Sequence, residues 1–524
     1  MTAPKTASPM TASRLATLNR NLLTLLIAVS LSATAAFAQG GRPQRQAQAP
    51  GEQQQQQAPG QSVLRLLPPD AVSEHSIETA WGKVDYTATA GTLSLFDQSG
   101  ERAAAVFYTA YVAKGGDPAK RPITFVFNGG PGAASAYLHL GLVGPRIVDF
   151  GANNRDAAAA HLRDNPRTWL PFTDLVLIDP VGSGWSRPAK ADGGNAFWGV
   201  QRDANAIAKT IALYVSNNQR SASPKYLLGE SYGGFRAAKV ARAVKHDQGI
   251  TISGIVMVSP LVESALIFGG TRFALGAALQ LPSLAAAELE RKGEFSKERL
   301  AEAEQFARTD YLSTLAGPPP KGEAARVFYA RVADMTGLPV ELVAQSRGFI
   351  RDAYVKNLRA SEHKIVSRYD ATFASDDPFP DQQTARGPDP LLDGMTRAYG
   401  SAFATYAREE LGFKTEMTYI LLASDIAGKW DWGEGGGRAM ASVSEDIREL
   451  LALDPGFRLM IAHGYSDMVT PYSVSQYVLD HLPQIGEGSR AGLRSYRGGH
   501  MFYIDAESRR SFSVDAKAFY DGEL

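Results

Sequence analysis

The 524 residues carry 54 Lys+Arg against 54 Asp+Glu, are 44% hydrophobic and contain no cysteine. Balanced charge argues against a dedicated nucleic-acid binder, which needs a basic excess or stripe. The lack of cysteine excludes disulfides, thiolate catalysis, Cys-bound zinc and a lipoprotein-type cysteine anchor. The length suits a large core, in one α/β domain or in two compact units.

At the N-terminus, Lys5, Arg14 and Arg20 lead into the apolar stretch LLTLLIAVSLSATAAFA, which ends in Ala36-Phe37-Ala38 without an acidic residue. A basic, then apolar, then small-residue order is that of a secretory signal peptide. Residues 1–38 are therefore expected to direct general secretory export and to be cleaved after Ala38. Cleavage leaves 51 basic and 54 acidic residues, and the product is expected to be periplasmic or secreted. No later stretch reads as a membrane span, so stable membrane insertion is not expected. Residues 39–63 are mostly Gln, Pro, Gly and Ala, with too little apolar surface to offset ordering entropy, and read as a disordered linker.

From about residue 75, KVDYTATAGTLSLFD and RAAAVFYTAYVA alternate apolar and polar residues around a break, which predicts an antiparallel lead-in. Short continuous apolar runs follow: ITFVF (123–127), DLVLID (174–179), KYLLG (225–229), GIVMVS (254–259) and RLMIA (458–462). Such runs suit strands buried on both faces of a parallel sheet. Helical spacing between them, as in DANAIAKTIALYVSN, makes the fold class α/β, doubly wound. The rhythm stops between Pro260 and about Gly428, where charged helical segments dominate. Residues 261–428 are read as a mainly helical cap inserted into a core of 64–260 and 429–524.

Gly229-Glu230-Ser231-Tyr232-Gly233 stands between the run KYLL and the helical FRAAKVARAV. G-x-S-x-G in that setting is a nucleophile elbow: a sharp strand-to-helix turn exposes the serine oxygen, and the flanking glycines let the backbones pass. The competing reading is a glycine-rich turn with no chemistry. In this fold the acid and base follow in the order Ser, Asp/Glu, His. His500, in the tight loop YRGGHMFYID, is the base candidate, and Asp467, after the run RLMIA, is the acid. His463 directly follows that run and could orient neighbours, His363 lies in the cap and His481 in a helical surface pattern. The glycine cluster FVFNGGPG follows the first buried run; Gly130 and Tyr232 are the candidate oxyanion N–H donors. No metal or cofactor is expected.

Five motifs in register resemble the serine carboxypeptidase family: Asn128-Gly129-Gly130-Pro131-Gly132, DPVGSGWS (179–186), the Ser231 elbow, Asp467 and Gly499-His500. The resemblance implies an α/β-hydrolase fold with an acyl-enzyme mechanism releasing C-terminal residues from peptide substrates. It further implies a Ser231–Asp467–His500 triad and substrate binding by Asn128, Gly129 and Glu230, with Asn128 and Glu230 on the terminal carboxylate. Eukaryotic members usually carry Glu-Leu-Gly-Pro where this chain has Leu142-Val143-Gly144-Pro145. An acidic partner for Glu230 is thereby replaced by Leu142. Esterase, acyltransferase or aminopeptidase activity on the same core, and a non-catalytic binding protein on this scaffold, are the alternatives.

Overall fold

The computed structural model describes residues 63–523, except 152–156, 271, 434–436 and 487. The signal-peptide and linker readings therefore fall almost wholly outside the described residues. Strands β1 (Ala71–Thr79), β2 (Gly82–Phe96) and β3 (Arg102–Ala113) form the antiparallel lead-in. They run into β4 (Ile123–Phe127), β5 (Asp174–Ile178), β6 (Lys225–Glu230), β7 (Gly254–Val258), β8 (Arg458–Gly464) and β9 (Ala491–Tyr496). The order across the sheet is β1-β2-β3-β5-β4-β6-β7-β8-β9, with the two-residue strand Arg187–Pro188 beside β3. From β5 to β9 every pairing is parallel. Parallel strands with helical crossovers, a β4/β5 swap and a serine elbow after β6 make this an α/β-hydrolase fold.

The continuous apolar runs follow from burial on both sheet faces. Successive strand side chains point to opposite sides, so Phe125, Leu227 and Ile255 enter one hydrophobic cluster while Val126, Leu228 and Val256 enter the other. Helices α1 (Val200–Asn217) and α2 (Tyr232–Gln248) cover the first face. Of β1 to β9, β1 and β9 escaped the sequence reading, and both lie at the sheet edges. In β1 the apolar and polar residues are mixed and only Ile77 is buried; in β9 only Tyr496 is.

Between β7 and β8, α3 (Ala274–Lys292) and the helices after it build a separate apolar cluster around Leu281, Phe306, Tyr311, Val332 and Tyr354. Met468, from the loop after β8, is buried in that same cluster. The span 261–428 is not uniformly cap, however. Helix α4 (Pro390–Glu409) packs Met395, Tyr399, Phe403 and Tyr406 into the sheet-side cluster beside Ala136–Val143. Its charged exposed face resembles that of a cap helix, and only the packing separates the two. Among the described residues no helix is long and apolar enough to cross a membrane.

Where the chain turns from β6 into α2 the backbones nearly touch. A Cβ on Gly229 would overlap the Gly233 carbonyl oxygen, and one on Gly233 would sit 2.7 Å from the Phe127 carbonyl oxygen. Gly229→Ala should therefore cost about 3 kcal/mol or more, because backbone cannot move aside as a side chain can. Urea unfolding of that variant against wild type measures it, and a loss below about 1 kcal/mol would contradict this packing.

Candidate active site

Ser231 is the residue before α2, the place where a serine ordinarily caps the helix with its hydroxyl. It makes no such cap, and its backbone sits at φ 61°, ψ −125°. Positive φ costs a non-glycine residue about 1–3 kcal/mol unless the surroundings enforce it. Here they do: the Ser231 N–H donates to the Val258 carbonyl, and the Ser231 carbonyl accepts from Gly234 and Leu261. Glu230 and Tyr232 on either side are buried, while Ser231 is partly exposed. A turn residue has no reason for this combination of strain, exposure and an unused hydroxyl.

Asp467 and His500, separated by 33 residues, meet with His500 Nδ1 2.8 Å from Asp467 Oδ2. Asp467 is fully buried and held from several sides. Its Oδ1 accepts the N–H groups of Val469 and Thr470. Thr470 Oγ1 lies 2.8 Å from Oδ2, 3.1 Å from His500 Nδ1 and 2.9 Å from the Ser259 carbonyl oxygen. Burial on its own would lower the His500 pKa, but the Asp467 charge and hydrogen bond and the charge of Glu230 outweigh it and raise it above the ordinary value. The segment Val258–Leu261 ties this pair to the elbow: Ser259 Oγ donates to the His500 carbonyl, 2.8 Å away, next to the residues that hold the Ser231 backbone. The cap reaches the pair as well. The His500 N–H donates to the Tyr369 carbonyl, and the Tyr369 ring stands edge-on to the imidazole at 5.2 Å.

The Asn128–Gly132 loop runs against the elbow. A Cβ on Gly129 would lie 2.6 Å from the Tyr232 nitrogen, so this loop passes directly beside that N–H. As the first helical residue, Tyr232 has no intrahelical acceptor for it. Gly130 follows at φ 96°, a conformation glycine adopts without strain. Behind the loop, Arg236 is paired with Asp203 at 2.6 Å, donates to the Asn128 carbonyl and lies over the Tyr232 ring. Asp179 accepts from the Ser135 N–H and hydroxyl, both at 2.8 Å; burial pushes it up to about 6 against those hydrogen bonds.

Glu230 and Asn128 also come together, both buried. Glu230 Oε2 accepts from Asn128 Nδ2 at 2.6 Å and from the Tyr503 hydroxyl at 2.8 Å. Asn128 Oδ1 accepts the Leu138 N–H. Burial pushes Glu230 up to about 7, against the opposing pull of His500, Tyr503 and Asn128. Leu142 is fully buried in the apolar cluster and supplies no second carboxyl. His463 Nε2 lies 2.8 Å from Ser475 Oγ, within the field of Asp467 and His500, and burial holds it down at about 4. The sequence reading named the elbow, the acid, the base and the glycine loop but missed Thr470, Tyr503, Tyr369 and the Arg236–Asp203 pair. Only Thr470 had a local signal, an Asp three residues before a Thr in a tight loop.

Residues 83–283 match the family model described as "Serine carboxypeptidase". That segment is similar to the serine carboxypeptidase family. It holds the Asn128 loop and the elbow; Asp467 and His500 lie beyond it. Among curated relatives, serine carboxypeptidase-like 42 of Arabidopsis thaliana is 27% identical over 161 residues, 29% of this chain and 32% of that protein. Serine carboxypeptidase-like 44 of the same plant is 24% identical over 159 residues, 28% of this chain and 31% of that protein. The chain thus spans about a third of the length of the serine carboxypeptidase-like relatives it matches. Among solved structures, the proline iminopeptidase of Mycobacterium smegmatis is 15% identical with a TM-score of 0.35, covering 83% of this chain and 98% of that one.

The raised Glu230 pKa has a consequence for stability. Its folded value of about 7 exceeds the ordinary 4.5, so its contribution is complete below pH 4.5 and is lost as pH rises through about 7. The unfolding free energy of wild type relative to Glu230→Gln should fall by roughly 3 kcal/mol across that window. A difference that stays level with pH in urea titrations would show that folding does not raise the Glu230 pKa.

Proposed function

We propose that the protein is an exported serine-type carboxypeptidase, removing C-terminal residues from peptides through an acyl-enzyme. The observation that carries this reading is the strained, partly exposed Ser231 bonded by its backbone to the segment that holds the Asp467–His500 pair. His500 takes the Ser231 proton as the oxygen attacks the scissile carbonyl. Asp467 fixes the imidazole tautomer and stabilises the imidazolium, and Thr470 holds Asp467 for that task. The N–H groups of Gly130 and Tyr232 receive the oxyanion, and Arg236 braces both loops from behind. The His500 imidazolium then gives that proton to the amine of the C-terminal residue, which departs, and His500 next takes a proton from the water that attacks the acyl-enzyme and returns it to Ser231 as the peptide leaves.

The carboxypeptidase part of the reading is supported by Glu230 and Asn128 beside the nucleophile. A substrate carboxylate and an ionised glutamate repel, so Glu230 serves as a binding group only in its neutral form. A folded pKa of about 7 keeps it neutral in acid. Export is proposed from the basic, apolar, small-residue order of residues 1–38.

Mass spectrometry of three peptides, one free at both ends, one N-blocked and one C-amidated, provides the test. The N-blocked and fully free peptides should be trimmed from the C-terminus, and the amidated one spared. Ser231→Ala should lose trimming by about 10³-fold or more while unfolding normally. Trimming only from a free N-terminus would make the protein an aminopeptidase, and cleavage of esters alone an esterase. Retained activity in Ser231→Ala would remove Ser231 as the nucleophile.

A further inference from the structure

A buried glutamic acid can greet a carboxylate in two ways, depending on which of its oxygens carries the proton. If that oxygen faces the ligand, the acid donates a hydrogen bond; if it faces away, two acceptors meet and repel. What fixes the proton here is the pair of donors on Oε2. Asn128 Nδ2–H and Tyr503 O–H both end on that one oxygen, and none of the described hydrogen bonds reaches Oε1. An oxygen accepting two hydrogen bonds acts as the carbonyl oxygen of the neutral acid, which leaves the proton on Oε1.

We infer that Tyr503 is the specificity-determining partner of Glu230, holding Oε2 as an acceptor so that Oε1–H is presented to the terminal carboxylate of a peptide. This rests on the carboxypeptidase reading above and names the residue that completes it. Tyr503 is built for the position. It is fully buried, its carbonyl accepts from Arg509 at 2.8 Å, and Gly141 leaves room for its ring, since a Cβ there would lie 2.6 Å from Tyr503 Cε2. No second carboxyl is hydrogen-bonded to Glu230 among the described residues, and Leu142 is apolar. The ionisable groups acting on Glu230 are His500, Asp467 and Tyr503, with Tyr137, Tyr369 and Tyr399 within its field. Of the tyrosines, only Tyr503 is hydrogen-bonded to it. Burial pushes all four well above the neutral range, so Tyr503 remains a donor wherever the enzyme works.

The test compares kcat/KM for an N-blocked peptide ending in a free acid with that for its C-terminal amide, in wild type, Tyr503→Phe, Glu230→Gln and the double variant, across pH. Tyr503→Phe keeps the ring and removes only the hydroxyl. It should lower the acid-to-amide ratio about tenfold, mainly through KM. It should also move the pH at which KM for the acid rises upward, because the ionised glutamate loses a donor. Adding Tyr503→Phe to Glu230→Gln should change the ratio by less than about twofold, since the two act as one unit. If wild type prefers the free acid and Tyr503→Phe keeps that ratio and pH limb, Tyr503 is only a packing residue and the inference fails. An equal loss in both backgrounds overturns it too. If wild type shows no preference for the acid, the carboxypeptidase reading itself falls, and this inference with it.

Discussion

The site depends on backbone crossing backbone at distances only glycine allows. Gly229 passes Gly233, Gly129 passes the Tyr232 nitrogen, and Gly464 passes Gly499. Each crossing brings one loop of the candidate site against another: the elbow on itself, the Asn128–Gly132 loop on the elbow, and the end of β8 before Asp467 on the His500 loop. A methyl group at any of these points would push the loops apart by more than a hydrogen bond tolerates. The strain at Ser231 persists because the crossings and the bonds to Val258, Gly234 and Leu261 leave its backbone no alternative.

Around that crossing the protein spends buried polar groups, each in a positioning role. Arg236, nearly without exposure, joins Asp203, the Asn128 carbonyl and the Tyr232 ring. Replacing one partner would strand a charge away from water, which is why such pairs are strongly coupled to their surroundings. Asp179 plays a similar part for Ser135, at the start of the helical turn that follows the glycine loop. The cap adds its own contact: Tyr369 meets His500, Asp370 accepts from Ser466, and Met468 is buried in the cap's cluster. The inserted segment is therefore part of what holds Asp467 and His500 in place.

Glu230 and His500 shift each other's pKa in opposite directions: the Glu230 charge raises that of His500, and the His500 charge lowers that of Glu230. The charge of Glu230 favours the imidazolium, whereas burial favours the neutral acid. One carboxyl thus sits within the field of the imidazole it adjoins, so the titrations of Glu230 and His500 are linked.

The strand runs, the elbow, Asp467, His500 and the glycine loop were legible in the sequence because each is a local pattern with a local cause. Double-faced burial makes a continuous apolar run, and a tight strand-to-helix turn demands glycine two residues either side of its serine. The edge strands β1 and β9 were not legible, since one-sided burial leaves too few apolar residues to show a period. The placement of α4 on the core, the Arg236–Asp203 brace, the hold of Tyr369 on His500 and the bond from Tyr503 to Glu230 were decided only by the tertiary structure. Those contacts join residues as far as 295 positions apart, and nothing in the local spacing of MFYID tells which way a tyrosine will face. The sequence by itself determined which groups could do the chemistry; packing decided which neighbour sets the protonation of each.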